Sequence, residues 1–130
     1  MQLAETERYL SKTLLKHGIN EKDFGRIRSV GGSRLFGGFN TMKMKERLEI
    51  KKSRVLADYL PTISIKVKDF AAALTNHKIY NDNINGLYEI SNEHKPNNTL
   101  IRRILIKKNI YPEVLPILSN QDSRSNITSD

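Results

Sequence analysis

The residues Thr62-Ile63-Ser64-Ile65-Lys66-Val67-Lys68-Asp69-Phe70-Ala71-Ala72-Ala73-Leu74-Thr75-Asn76-His77 carry the clearest periodic signal in the chain. At about 100° per residue, Ile63, Val67, Phe70, Ala71 and Leu74 fall within one arc of roughly 100°. Lys66, Lys68 and Asp69 lie outside it. That spacing predicts a helix over 62–77, with Phe70 and Leu74 at the middle of its buried face.

Upstream, Ser53 is placed to cap a short element from Arg54 to Leu60, which Pro61 stops. Asn40 or Thr41 caps a helix to about Ile50 with Met44 and Leu48 inward. Gly31-Gly32-Ser33-Arg34-Leu35-Phe36-Gly37-Gly38 holds four of the seven glycines and is expected to break regular structure. Asn20 caps a helix from Glu21 to about Ser29, with Phe24, Ile27 and Val30 on one side. Leu3, Leu10 and Leu14 mark a first helix, Leu3–Lys16, with Gly18 as its stop.

Downstream, Asn81, Asp82, Asn83 and Asn85-Gly86 are turn formers. Leu87, Tyr88 and Ile90 then read as a short strand or a loop, a small β element near residues 79–90. Asn97 or Asn98 caps a last helix to about Lys108. Leu100, Ile101, Ile104 and Leu105 form its apolar arc, and Arg102, Arg103 and Lys107 the opposite one. Asn109 takes the left-handed stop, and Ile110–Pro116 is a short apolar clip. The expectation is a mostly α, compact multi-helix domain over 1–118. Residues 1–18 are a candidate oligomerisation helix through Leu3, Leu10 and Leu14, and 119–130 a disordered polar tail.

Composition narrows the function. The 130 residues carry 22 Lys+Arg against 14 Asp+Glu, a formal charge of +8. The absence of Cys excludes disulfides, thiolate zinc sites and cysteine catalysis. No apolar run approaches the ~18–20 residues of a membrane span, and Met1-Gln2-Leu3-Ala4-Glu5 does not resemble a signal peptide. A cytoplasmic basic protein with a polyanionic partner is the expected class.

Chemistry-bearing patterns are sparse. His17, His77 and His94 have no HExxH-type spacing, and the glycine segment matches neither G-x-x-x-x-G-K-[ST] nor G-x-G-x-x-G. Asp58, Asp69, Asp82, Glu89 and Glu93 show no spacing suited to Mg²⁺. No cofactor, metal or catalytic residue is expected, and a nuclease using Asp58 and Asp69 is a weak third reading.

Charge is the informative feature. Arg26, Arg28, Arg34, Lys43, Lys45, Arg47, Lys51, Lys52 and Arg54 face only Glu46 and Glu49 in sequence. That window is either a solvated face or a phosphate-binding surface. Arg34 and Arg47 are its foremost candidates, because Arg offers a forked donor set suited to phosphate. Arg102 and Arg103 on the last helix form a second candidate group. Phe36 and Phe39 are either core anchors or base-stacking rings.

Four blocks in order add a resemblance: Leu35-Phe36-Gly37-Gly38, Met44-Lys45-Glu46-Arg47-Leu48, Leu56-Ala57-Asp58-Tyr59-Leu60-Pro61-Thr62 and Lys68-Asp69-Phe70-Ala71. With Asn98, Arg102, Leu105 and Ile110-x-Pro112-Glu113-x-Leu115-Pro116, the series resembles the C-terminal half of the bacterial DNA damage-inducible protein D family. The resemblance runs from about Leu3 to Pro116. It implies a role in the bacterial DNA-damage (SOS) response, acting on DNA, single-stranded or branched, or on recombinase–DNA filaments. It implies no catalytic residues. It also implies a preceding domain similar to the N-terminal domain of BRO proteins, which these 130 residues do not include. The leading reading is a non-enzymatic DNA-binding or filament-modulating protein, nucleoid-associated when bound. The alternative is a protein–protein interaction module that pairs through Leu3–Lys16 and makes no DNA contact.

Overall fold

Asn20 and Asn40 start two helices as their side chains dictate. Asn20 Oδ1 accepts from the Asp23 N–H at 2.8 Å, and Asn40 Oδ1 accepts from the Lys43 N–H at 2.9 Å. A computed structural model describes residues 12–116. Residues 12–16 are helical and stop at Gly18, φ 84°. There follow α1 (Glu21–Leu35), α2 (Thr41–Arg47), a 3₁₀ turn (Leu56–Tyr59), α3 (Thr62–Asp82) and α4 (Gly86–Lys107). The chain is mostly α. No helix among the described residues is long and apolar enough to cross a membrane. The expected tail, together with Leu3 and Leu10, lies outside the described residues.

The glycine segment does two jobs instead of one. Gly31 and Gly32 are buried inside α1, and only Gly37 (φ 67°) and Gly38 (φ 102°) leave the helix. Gly31 is where α1 crosses α4. A Cβ there would overlap His94 Cδ2 and stand 2.7 Å from His94 Nε2 and 2.9 Å from Asn98 Nδ2. The helix keeps Gly31 because a larger residue would push the pair apart.

The expected β element does not form. Residues 79–82 continue α3, Asn83 ends it in the left-handed conformation (φ 50°), and Gly86 opens α4. Glu89 Oε2 accepts from the Asn85 N–H at 3.2 Å at this start. The buried side of α4 is Ile90, His94, Asn98, Ile101 and Leu105. Two polar residues interrupt its helical spacing, which hides the period. The helix expected to begin at Asn97 or Asn98 begins eleven residues before Asn97, at Gly86, and Pro96 sits on its exposed side.

Two faces are rotated from expectation. On α3 the buried residues are Ser64, Ala71, Ala72, Thr75, Asn76 and Ile79, whereas Phe70 is 55% exposed and Ile63 38%. On α4, Leu100 and Ile104 are exposed, while Arg102 turns inward. A polar contact lies between the two helices. Thr75 Oγ1 lies 2.5 Å from His94 Nδ1 and accepts from Asn97 Nδ2 at 3.1 Å. Small residues bring the helices close enough for these bonds, so α3 shows its small, polar side to the core.

The core has two parts. One joins Leu35, Phe36, Met44, Leu56, Leu60, Ala71, Ile101 and Leu105. The other joins Leu14, Ile19, Ile27, Ala72, Ile79 and Ile90. Leu14, expected on a self-pairing seam, is therefore fully buried within its own chain.

Candidate nucleic-acid interface

Lys45 on α2 closes the following loop upon itself. Its Nζ donates to the Lys52 carbonyl at 2.9 Å, and Arg54 N–H donates to the Lys51 carbonyl at 3.0 Å. The returning segment 52–57 then faces Gly25, Arg28 and Ser29 of α1 across a cavity of about 390 Å³. Five cations line it: Arg28, Lys45, Lys52, Arg54 and Lys68, with the hydroxyl residues Ser29, Thr41 and Ser53. No carboxylate lies in that lining.

Four of these cations come from the basic window read in the sequence. Lys68 does not; it reaches in from α3. Its Nζ lies 5.6 Å from the Phe36 ring centre and 3.8 Å from the place a Cβ on Gly32 would occupy. No local pattern pairs Lys68 with Arg28, so only the fold, in which α1 and α3 both pack on α4, reveals it. Phe36 is a fully buried core anchor, which settles its role against base stacking.

The rest of the window divides. Arg47 stacks 5.0 Å from the Phe39 ring centre and donates from Nε to the Glu113 carbonyl at 3.1 Å. Arg102 is held on the same residue. Nη1 and Nη2 donate to the two Glu113 carboxylate oxygens at 2.7 and 3.0 Å, and Nη1 also reaches the Leu35 carbonyl at 3.0 Å. These bonds raise the Arg102 pKa and lower that of Glu113. Arg102 therefore links α1, α4 and the clip. Arg26 Nη1 is 3.7 Å from Asp23 Oδ1. Lys43 and Lys51 are exposed and line neither concavity described here.

Arg34 and Arg103 meet on the other flank of α1. With Lys95 they line a shallower groove of about 600 Å³, together with Asn92, Pro96, Asn97, Thr99 and Leu100. The sequence does not single out Lys95, because the expected start of the last helix at Asn97 or Asn98 leaves it outside.

No group of His, Cys, Asp or Glu among the described residues could hold a metal ion. Asp58 is exposed on the 3₁₀ turn, and Asp69 turns a buried Oδ1 away from solvent on α3.

Comparison with known proteins agrees with the four sequence blocks. A family model described as the DinD C-terminal domain matches residues 1–124. No curated protein and no solved structure matches the chain.

Proposed function

The chain belongs to the DinD C-terminal domain family, and on that premise we propose that it binds DNA through the cavity lined by Arg28, Lys45, Lys52, Arg54 and Lys68. One observation carries the reading: five cations from distant parts of the chain converge on one concavity whose lining has no carboxylate. Phosphate oxygens suit the mixed set of guanidinium, ammonium and hydroxyl donors. The backbone is read there without regard to base sequence. The DNA within a recombinase filament offers the same phosphates, so a bacterial damage-response setting fits both partners. The protein acts by binding, without bond cleavage.

Titration of single-stranded, duplex and branched DNA at two salt concentrations tests the proposal. Binding is expected at low salt and weakens steeply as salt rises, because each neutralised phosphate releases condensed counterions. Absence of binding at low salt would overturn it and put the protein-interaction reading first. Labelled DNA that is cut on addition of Mg²⁺ or Mn²⁺ would overturn the non-enzymatic part.

A further inference from the structure

The two basic concavities stand on opposite flanks of one helix. Gly25, Arg28 and Ser29 line the first, and Arg34 lines the second. From Gly25 to Arg34 the helix turns by about 900°, half a turn beyond two full ones. It rises about 13 Å over the same residues. The flank between them on one side is buried against α4 through Ile27, Gly31 and Leu35. On the other side lies the convex outer ridge of α1, where Arg26 already stands beside Asp23. A single strand that served both concavities would have to climb that ridge.

The concavities also differ in chemistry. The first is lined chiefly by cations and hydroxyls, which suits a phosphate. In the second, Pro96 and the half-exposed Leu100 supply apolar surface beside Arg34, Lys95 and Arg103. Pro96 has no N–H to donate, so the Asn92 carbonyl one turn earlier loses its helical partner. Apolar surface, flat guanidinium groups and the released Asn92 carbonyl suit bases whose faces and edges are uncovered. A duplex buries those faces and an unpaired strand presents them.

We propose that the domain holds two nucleic-acid segments at once, a phosphate of one in the Arg28–Arg54 cavity and an unpaired strand of the other in the Arg34–Lys95–Arg103 groove. The proposal rests on the reading of the cavity given above. It makes the domain a bridge between a duplex and a single strand.

Duplex DNA tethered to beads, with a labelled non-complementary single-stranded oligonucleotide in solution, tests it with the full chain. The protein is expected to retain the oligonucleotide on the beads. The double substitution Arg34→Gln/Arg103→Gln is expected to lower that retention about tenfold, since two counterion-releasing contacts go. Its affinity for the duplex alone should stay within about twofold, because separated sites act independently. Both side chains are exposed, and no ion pair among the described residues uses them, so the variant keeps the fold. Two results overturn the bridge: the parent chain binds duplex yet retains no oligonucleotide, or the double variant retains as much as the parent. The second result assigns bridging to paired copies of the chain. Failure to bind either DNA singly defeats the cavity reading as well, so the two failures are distinct.

Discussion

Glu113 grips Arg102 with both carboxylate oxygens, at 2.7 and 3.0 Å, and the two side chains are only 14% and 19% exposed. The pair ties the clip after α4 back onto the end of α1, because Arg102 also bonds the Leu35 carbonyl. Gly37 is shaped around it: a Cβ there would stand 2.8 Å from Glu113 Oε2 and 2.9 Å from Arg102 Nη2. Glu113→Ala leaves a mostly buried guanidinium without its anion and is expected to cost roughly 2–4 kcal/mol. The Glu113 pKa is lowered in the fold, so its contribution is present above the unfolded carboxylate value. It is lost as pH falls through the folded one. Urea unfolding of Glu113→Gln should show less acid sensitivity than the parent in that range. An identical acid limb in both proteins would contradict this role.

His94 produces a separate pH window. Thr75 Oγ1 donates its one proton to the Ala71 carbonyl at 3.0 Å, so His94 Nδ1 is the donor in its contact with Thr75. Burial and then the nearby Lys68 charge lower the His94 pKa to about 4. The folded state therefore favours the neutral ring. Stability is complete above the unfolded value of 6.5 and declines as pH falls from there towards 4. The full loss is on the order of 3 kcal/mol. Denaturation midpoints that stay level between those two pH values would refute it; an NMR titration of the ring gives the pKa directly.

Gly25 and Gly31 lie on one helix and predict opposite signs. A Cβ on Gly25 meets nothing within 4 Å, so Gly25→Ala should stabilise α1 by about 0.5–1 kcal/mol. Gly31→Ala drives a methyl into His94 and Asn98 and should cost about 1–3 kcal/mol or more. Thermal unfolding of the two variants beside the parent checks both signs. A neutral Gly31→Ala would mean that α1 and α4 are not in close contact.

Phe70→Ala is expected to cost less than about 1 kcal/mol, because a ring 55% exposed leaves no cavity behind. Ile90→Ala, at a fully buried position, should cost roughly 2–5 kcal/mol. A loss of comparable size in the two variants would restore Phe70 to the core.

These contrasts explain what the sequence made legible. Helix starts were readable at Asn20 and Asn40 because a cap is local: one side chain meets a backbone N–H three residues on. The left-handed stop at Asn109 (φ 61°) was readable for the same reason. The orientation of α3 was not, since hydrophobic periodicity assumes an apolar interface and this one is centred on Thr75, His94 and Asn97. The first half of α4 was not legible either, because His94 and Asn98 stand at buried positions where an apolar period is expected. In the candidate site, the charge of Arg28, Lys45, Lys52 and Arg54 was visible in one sequence window. The bonds that tie Arg47 and Arg102 to Glu113, and the arrival of Lys68, depend on residues far apart in the chain.

That division gives the proposed DNA contact a test on two kinds of cation. Arg54 and Lys52 are exposed, line the cavity and belong to no ion pair among the described residues. Arg54→Gln should weaken binding to all sequences alike and reduce the log–log salt slope by about 0.9 on duplex, or about 0.7 on a single strand. Lys52→Gln should act in the same direction, and the two should combine without changing the thermal midpoint. Arg102→Gln should do the reverse. It breaks the Glu113 contact and lowers stability, yet the slope measured on the protein that remains folded should match the parent. Binding isotherms at several salt concentrations, each paired with a melting curve, separate the outcomes. A slope unchanged by Arg54→Gln and Lys52→Gln together would make the cavity a solvated basic face. A slope reduced by Arg102→Gln at unchanged stability would move the contact to the last turns of α4.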